Sequence, residues 1–215
     1  MIYEPREDSY LILKHIKDYA KEKGKDKDKK ILDLGTGSGI LALEALKYSK
    51  NVLASDINKE AVDYVKSLSQ KLRAIQSDLF SHIKGKFDLI LFNPPYLPEE
   101  KAEMKRLMGK ELTLITTGGK KGYEIIERFF SEVKIHLKKN GEIIIIFSSL
   151  TNKKKVDKII KKYGFKFKLI DSEKLFFEEL YVYLVSLNWF SKLIFYLNNI
   201  YKTKKVNNLN EWQAC

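Results

Sequence analysis

Cysteine is almost absent from this 215-residue chain, because Cys215 alone carries a thiol. A single cysteine excludes a disulfide within the chain and a metal site built from several of its thiolates. Histidine is scarce as well, and its three copies, His15, His82 and His136, are scattered along the sequence. Each is more typical of an ordinary surface or half-buried residue than of a ligand or base, so we expect no bound metal.

Long apolar runs are also missing. No stretch approaches the roughly 18 uninterrupted apolar residues of a membrane-spanning helix. The first residues, Met1 to Asp8, include acidic groups and lack the basic and then apolar order of a secretory signal. We therefore predict a cytoplasmic protein without a membrane span.

Arginine is rare in spite of a formal net charge of +12, because only four of the 40 basic residues are arginine. A strongly basic chain is suited to an acidic partner such as RNA. Proteins that read nucleic acids rely on arginine for bidentate and stacking contacts, however. An excess of lysine along the whole chain is more typical of compositional bias or of adaptation to heat. Nucleic acid stays a possible partner, but the less favoured one.

The apolar pattern predicts regularly alternating strands and helices. This order predicts an α/β fold: a Rossmann-like, seven-stranded, mostly parallel sheet with helices on both faces. A helix over 7–23 and a charged linker up to residue 30 come first. Strands follow at 31–34, 51–55, 73–77, 87–92, 142–147, 165–170 and 179–187, and helices at 38–48, 59–69, 122–138 and 151–163.

Three features of this organisation are less regular. The helix over 122–138 is expected to end at Asn140-Gly141, and the last two strands are expected to pair antiparallel at one edge. The long polar stretch 97–120 is typical of a lid or binding segment. Residues 1–187 are predicted to form one domain, with residues 188–215 as an amphipathic helical tail. The tail could pack on the domain or contact a partner, and the first alternative is the simpler.

Acidic residues follow three successive predicted strands. Asp33 precedes a glycine loop, Gly35-Thr36-Gly37-Ser38-Gly39, which lacks both the third glycine of the dinucleotide fingerprint and the lysine of a phosphate loop. Asp56 ends the second strand, where an acid can accept both hydroxyls of a ribose. Asp78 ends the third, where an acid can accept from an adenine amino group. Each could instead cap the next helix, but the ordered set favours a ligand.

The ligand that these residues indicate has a ribose and an adenine but no phosphate. The carboxylate of Asp33 suits a cationic group and repels a phosphate. S-adenosylmethionine meets these requirements, because it carries an ammonium group, a sulfonium group, a ribose and an adenine. We predict that Asp33 lies near its amino acid moiety and Asn93 near its methyl group.

The tetrapeptide Asn93-Pro94-Pro95-Tyr96 directly follows the buried strand 87–92. Its two prolines remove backbone donors and fix φ, so the strand cannot continue. The Asn93 side-chain oxygen and the Pro94 carbonyl can accept the two N–H groups of a planar amide or amino nitrogen, and Tyr96 can confine the substrate. We therefore predict that Asn93, Pro94, Pro95 and Tyr96 are the catalytic residues of a nitrogen methyltransferase.

Together these motifs resemble the class I S-adenosylmethionine-dependent methyltransferases. More narrowly, the opening from Tyr3 to Leu11 and the segment Gly118-Gly119-Lys120-Lys121-Gly122 resemble the HemK-related enzymes of the small archaeal and eukaryotic branch. The resemblance runs from about Tyr3 to Leu187, and the tail departs from it. It implies that Asp8 and Ser9 close over the cofactor. The predicted cofactor-binding residues are Asp8, Ser9, Asp33, Gly35, Thr36, Gly37, Gly39, Asp56, Ile57, Asp78, Leu79 and Asn93.

The resemblance also implies a substrate and a partner. The substrate would be the glutamine of the Gly-Gly-Gln motif of a peptide chain release factor, methylated on its amide nitrogen. The partner would be a small zinc-binding activator protein that pairs with an edge strand, here 73–77. Two alternatives stay open: an adenine N6 methyltransferase acting on RNA or DNA, which would share the tetrapeptide, and a cofactor-binding module without turnover.

Overall fold

A seven-stranded sheet forms the centre of this computed structural model, which describes residues 2–22, 27–101 and 117–187. The strands are β1 (Lys30–Leu34), β2 (Asn51–Asp56), β3 (Arg73–Gln76), β4 (Phe87–Phe92), β5 (Leu137–Ser148), β6 (Phe165–Lys174) and β7 (Glu179–Leu187). Their spatial order is β3-β2-β1-β4-β5-β7-β6. Neighbours from β3 to β5 pair in parallel, and β7 pairs antiparallel with both β5 and β6. The predicted fold class and the antiparallel edge are confirmed.

Helices cover both faces of the sheet. They are α1 (Glu7–Glu22), α2 (Ile40–Leu46), α3 (Lys59–Leu68), α4 (Glu124–Glu132) and α5 (Lys153–Lys162), with single 3-10 turns at Val133–His136 and Ser149–Thr151. Residues of α1, α2 and α3 belong to the apolar core on one face, and residues of α4 and α5 to the core on the other.

The apolar run 89–92 of β4 follows from this layering. Leu89 and Leu91 pack into the core beneath α1 to α3, whereas Ile90 and Phe92 pack into the opposite core. Successive side chains of a strand point to opposite faces, so the part of a strand that is covered on both sides is apolar at consecutive positions. The strand thereby holds the segment that follows it, starting at Asn93, at a fixed place above the sheet.

One predicted helix end was wrong. The helix stops at Glu132, and β5 begins already at Leu137, so Asn140 and Gly141 lie inside a strand instead of ending a helix. The pairing of β4 with β5 shifts register here. A β-carbon at Gly141 would lie 2.7 Å from the carbonyl oxygen of Phe87. Gly141 therefore permits a close backbone approach at a strand irregularity. In the sequence alone, an Asn-Gly pair at such an irregularity looks the same as an Asn-Gly pair that ends a helix.

Two other predictions lie partly or wholly outside the described residues: most of the polar stretch 97–120, and the tail 188–215. At the described ends of the polar stretch, Leu97 and Thr117 form a parallel bridge. Within the described part of the chain, no helix combines the length and the apolar character needed to cross a membrane.

Candidate active site

A cleft with a volume of about 600 Å³ opens at the carboxyl ends of the parallel strands. This is the edge where ligands bind in open α/β sheets. The structure brings most of the predicted site residues together there and leaves two, Asp33 and Gly39, outside the lining. The predicted residues that line the cleft are Asp8, Ser9, Gly35, Thr36, Gly37, Asp56, Ile57, Asp78, Leu79, Asn93, Pro94, Pro95 and Tyr96.

The glycines of the loop after β1 have different structural roles. Gly37 lines the cleft in a left-handed conformation (φ 52°), and a β-carbon there would lie 3.4 Å from that of Tyr3. Gly39 also has a left-handed φ, but a β-carbon there would lie 2.9 Å from Val65 of α3. The absence of a side chain at Gly37 therefore leaves space in the cleft beside Tyr3, whereas at Gly39 it permits close packing against α3.

Asp33 lies beneath this loop and is fully buried. Its Oδ2 accepts hydrogen bonds from the hydroxyl of Thr36 (2.6 Å) and the backbone N–H of Ala42 (3.0 Å). Its Oδ1 is buried and has no hydrogen-bond partner among the described residues. Burial raises the pKa of Asp33 to about 7, against the lowering effect of these two hydrogen bonds. The residue ties the loop to the start of α2, and its orphaned oxygen would suit a cationic group above it.

Asp56 connects the ends of β1 and β2. Its Oδ2 accepts the backbone N–H of Gly37 (2.9 Å), and its Oδ1 accepts that of Asn58 (2.9 Å). The cap of α3 is the side chain of Asn58, which accepts from the N–H of Glu60, and not Asp56. A carboxylate has about four acceptor positions, so two remain for donors within the cleft.

The end of β3 brings Asp78 and Leu79 to the cleft. The carboxylate of Asp78 forms an ion pair with Arg128 of α4 (2.9 Å), a partner that the sequence did not indicate. Leu79 has a left-handed φ of 43°, which is unusual for a branched side chain, and its carbonyl accepts from Ser77 Oγ (2.8 Å). Backbone outliers of this kind are typical of functional sites, where the surrounding structure holds the strained residue in place.

The Asn93-Pro94-Pro95-Tyr96 segment leaves β4 and faces the same cleft. Among the described residues, none forms a hydrogen bond with the Asn93 side chain, so its oxygen is available to a ligand. The backbone carbonyl of Asn93 would be 4.0 Å from a β-carbon placed at Gly35. The glycine loop and the tetrapeptide therefore stand side by side, as expected for the neighbouring strands β1 and β4.

Two glycines of the segment 118–122 support this tetrapeptide from behind. A β-carbon at Gly118 would lie 2.6 Å from the carbonyl oxygen of Pro95, and one at Gly122 would lie 2.5 Å from that of Tyr96. The N–H of Gly118 also bonds to the carbonyl of Leu97 (2.9 Å). This glycine-rich segment entered the sequence analysis only as part of a resemblance. The structure supplies its physical reason, because a residue with a β-carbon does not fit so close to the tetrapeptide backbone.

The N-terminal segment covers the cleft and is joined to Tyr96. The buried carboxylate of Asp8 accepts hydrogen bonds from the hydroxyls of Tyr3 (2.8 Å) and Tyr96 (3.2 Å). Burial and then the charge of Asp8 raise the pKa of Tyr96 well above its usual value, and the same two causes raise that of Tyr3. Both hydroxyls therefore remain protonated donors, and neither is suited to act as a base at neutral pH.

Several lining residues escaped the sequence analysis. Tyr3, Arg6 and Glu7 line the cleft from the N-terminal segment, and residues 175–178 line it from the turn between β6 and β7. The N-terminal residues belong to the opening motif and could have been included. Nothing local marks the turn, because its position depends on the pairing of distant strands. Among the described residues, no group of three His, Cys, Asp or Glu side chains is placed to hold a metal ion.

Comparisons with known proteins agree with this geometry. A family model described as the methyltransferase small domain matches residues 7–120. A putative protein N5-glutamine methyltransferase of Methanocaldococcus jannaschii is 39% identical over 186 residues, which cover 84% of this chain and 89% of that protein. A release factor glutamine methyltransferase of Borreliella burgdorferi is 40% identical over 142 residues, covering 62% of this chain and 50% of that protein.

Solved structures share the fold. A chain of the E. cuniculi Mtq2-Trm112 complex, responsible for the methylation of the eRF1 translation termination factor, matches with a TM-score of 0.67 and 24% identity, covering 87% of this chain and 99% of that chain. The magnesium protoporphyrin IX methyltransferase of Synechocystis PCC 6803, solved with bound S-adenosylmethionine, matches with a TM-score of 0.60 and 15% identity, covering 83% and 79%.

Fold and cleft together define a class I S-adenosylmethionine-dependent methyltransferase. The cleft fits this cofactor, because its volume lies in the usual range for such ligands and a carboxylate with spare acceptor positions stands beside an open glycine loop. Within this class, the chain belongs to the methyltransferase small domain family and to its HemK-related branch. The resemblance noted in the sequence is confirmed.

Proposed function

We propose that this enzyme methylates the side-chain amide nitrogen of a glutamine in a polypeptide, namely the glutamine of the Gly-Gly-Gln motif of a peptide chain release factor. The observation that carries the proposal is the Asn93 side chain, which lines the cofactor cleft beside two prolines and has no hydrogen-bond partner among the described residues. An amide acceptor on a stiff support matches the two N–H groups of a substrate amide.

In this proposal the tetrapeptide orients the acceptor nitrogen. Asn93 Oδ1 and the Pro94 carbonyl each accept one N–H of the substrate amide, which fixes its plane and directs the nitrogen lone pair into the cleft. S-adenosylmethionine, when bound, supplies an electrophilic methyl group. Positioning of this kind can contribute on the order of 7–11 kcal/mol at best, and the two acceptors also stabilise positive charge that develops on the nitrogen.

Tyr96 has a supporting role, because its ring confines the substrate while Asp8 accepts its hydroxyl proton in a hydrogen bond. No general base is required, since the nitrogen can release its proton after the transfer. This agrees with the raised pKa of Tyr96, which keeps the hydroxyl protonated.

The remaining lining residues hold the cofactor in this proposal. Asp56 accepts the ribose hydroxyls, while Asp78, with Ile57 and Leu79, contacts the adenine. The amino acid moiety lies against Gly35, Thr36 and Gly37, covered by Asp8 and Ser9. Asp33 acts from below, through the loop and the charge of its buried carboxylate, and Gly39 acts only through packing.

The substrate assignment is supported by the relatives. The archaeal relative is named for protein glutamine and is covered over 89% of its length. The chain spans half of the Borreliella protein, which is named for release factor glutamine. We infer the cytoplasm, where translation takes place, as the site of the reaction.

An activator subunit is a further part of the proposal. β3 is the outermost strand on one side of the sheet, and an edge strand can be extended by a strand from a second protein. A solved complex of this fold contains a second protein, Trm112. We propose that a small zinc-binding activator pairs with β3.

The test is incubation with S-adenosylmethionine labelled on its methyl group, with purified termination factor or total RNA as acceptor, in the presence and absence of a candidate activator. We expect label in the termination factor, and mass spectrometry should place one added methyl on the glutamine of Gly-Gly-Gln. A termination factor with that glutamine changed to alanine is the control and should remain unlabelled. Label in RNA and none in protein would instead show a nucleic-acid adenine methyltransferase.

A further inference from the structure

Two aromatic side chains stand in solvent at the turn between β6 and β7. Phe176 is 93% exposed and Phe177 is 79% exposed, the two largest values among the exposed apolar residues of the described chain. Their rings contact each other edge to face, with centroids 4.7 Å apart. Large exposed apolar groups that touch each other are typical of an interaction site.

The turn itself gives no structural reason for this choice. Its ends are joined by the N–H of Leu175, which donates to the carbonyl of Glu178 (2.8 Å). Positions within such turns usually carry Gly, Asn, Asp, Pro or Ser, whose conformational or hydrogen-bonding properties suit a turn. Phenylalanine offers neither advantage and leaves its ring in water, so its presence points to a function.

The base of the turn is firmly attached to the sheet. Leu175 packs against the core, and Leu180 is buried in it. The N–H of Glu179 donates to Ser149 Oγ (3.0 Å), in the 3-10 turn that follows β5. The same 3-10 turn ends at Thr151, whose hydroxyl donates to the carbonyl of Tyr96 (2.7 Å). The two rings are therefore presented on a support that is connected to the tetrapeptide.

The strand order places the rings on the acceptor side of the cleft. The predicted cofactor residues follow β1, β2 and β3, whereas β7 and β6 lie on the other side of β4. Asn93, at the end of β4, thus stands between the cofactor half and the aromatic turn. Phe176 and Phe177 line the same cleft as Asn93.

The charges near the turn decide between two kinds of acceptor. In the sequence, three acidic residues, Glu173, Glu178 and Glu179, directly flank it beside one lysine, Lys174. Aromatic side chains can stack on nucleic-acid bases, but binding a strand also requires cations for its phosphates. An acidic rim repels phosphate and attracts a basic polypeptide.

We propose that Phe176 and Phe177 form the contact surface for the polypeptide that flanks the acceptor glutamine. This inference rests on the proposed function and extends it to the recognition of the substrate protein. Glycines beside the acceptor favour such a contact, because peptide planes without β-carbons can lie flat against an aromatic ring. The surface holds the acceptor loop while Asn93 orients the amide.

The first test compares Phe176→Ala/Phe177→Ala with Ile135→Ala, which removes an apolar side chain that is 70% exposed but does not line the cleft. For the double variant we expect the KM for termination factor to rise by about tenfold or more, as for the loss of a central aromatic contact. The KM for S-adenosylmethionine and the turnover at saturating acceptor should stay within about twofold. Ile135→Ala should match the parent. An unchanged acceptor KM, or an equal rise for the cofactor, would overturn the proposal.

A second test does not depend on turnover. A photo-crosslinking phenylalanine analogue is incorporated at position 176 and, as a control, at position 135. We expect the termination factor to be crosslinked from position 176 and not from position 135. Crosslinks to RNA, or to a second copy of the chain, in place of the termination factor would refute the contact. Absence of methylation by the parent enzyme would count against the proposed function, while the crosslink still reports on the surface.

Discussion

At the residue scale, Asn93 presents a neutral amide after β4, whereas Asp56 and Asp78 present carboxylates at the ends of β2 and β3. Asp56 and Asp78 carry charge, and both already have partners in the protein. Asn93 is neutral, so it can accept a hydrogen bond from an uncharged substrate amide without the cost of burying an unpaired charge. The proposed roles therefore assign cofactor affinity to Asp56 and Asp78 and catalysis to Asn93, and substitutions can test this assignment.

The substitution Asn93→Ala removes the proposed acceptor. We expect turnover to fall by at least about two orders of magnitude, the usual cost of losing one preorganised polar contact in a transition state, roughly 3 kcal/mol. Single-turnover kinetics measure this loss, and calorimetry should show cofactor affinity nearly retained. Asn51→Ala, at the opposite end of the strands, should leave both unchanged. Near-normal turnover of Asn93→Ala would refute the catalytic role.

A pH dependence follows from Asp33, whose pKa burial raises from an ordinary 3.8 to about 7. The folded state binds this proton more tightly than the unfolded chain does. The stabilising contribution is therefore complete below about pH 4 and is lost as the pH rises through about 7, up to about 4 kcal/mol in all. Asp33→Asn keeps an oxygen that can accept from Thr36 and Ala42 but cannot ionise.

The free energy of unfolding, measured in urea from pH 5 to pH 8, should decrease less steeply with pH in Asp33→Asn than in the parent. The difference between the two slopes should be largest between pH 5 and pH 6 and nearly absent at pH 8, where Asp33 is ionised in both the folded and the unfolded state. Parallel curves for the two proteins would show that Asp33 does not titrate in this range.

At the scale of elements, the tetrapeptide that is proposed to be catalytic packs against a second segment, 118–122. A β-carbon at Gly118 would approach the carbonyl oxygens of both Pro95 and Gly122 too closely. Backbone atoms cannot turn aside as a flexible side chain can, so the clash has to displace the tetrapeptide. The glycines thus set the position of Asn93 without touching a substrate.

We therefore expect Gly118→Ala to lower turnover by about tenfold or more and the free energy of unfolding by about 1–3 kcal/mol, as for other overpacked positions. The control is Gly85→Ala, where the φ of 93° is strained for alanine but no atom lies within 4 Å of the added carbon. It should lose some stability and keep its turnover. Equal turnover in Gly118→Ala and the parent enzyme would contradict the supporting role.

Elements that are determined by neighbouring residues in the sequence were predicted, whereas those that depend on contacts between distant residues were not. Strands such as β4 were predicted because burial on both faces favours a run of consecutive apolar residues, here 89–92. The start of β5 was not predicted, because Gly141 is required by its contact with the backbone of Phe87, which lies far away in the sequence. The contributions of Arg128 and of the turn 175–178 could not be predicted either, since the tertiary fold alone brings them to the cleft. The roles assigned to the site residues stay predictions until they are tested.

At the scale of the whole molecule, the cleft is assembled from distant parts of the chain. The N-terminal segment reaches it through Tyr3 and Asp8, the sheet through its carboxyl edge, and the C-terminal half through residues 175–178. A ligand of this cleft therefore binds the folded protein and not the unfolded chain, in which these parts are separated. Binding should therefore stabilise the whole domain. A substitution in the cleft that weakens binding should reduce this stabilisation, so the loss measures the contribution of the substituted residue.

The product S-adenosylhomocysteine, at one hundred times its Kd, should stabilise the protein by about 2.7 kcal/mol, which corresponds to a rise in Tm of roughly 5–10 °C for a chain of this size. At the same concentration, Asp56→Ala should show less than half of this increment, because the proposed ribose contacts are lost, whatever its own Tm without ligand. Asn93→Ala should keep the increment, and so should Asp63→Ala, which removes an exposed carboxylate of α3 outside the cleft lining. Thermal denaturation followed by circular dichroism measures all four proteins. A full increment in Asp56→Ala would remove this carboxylate from the cofactor site.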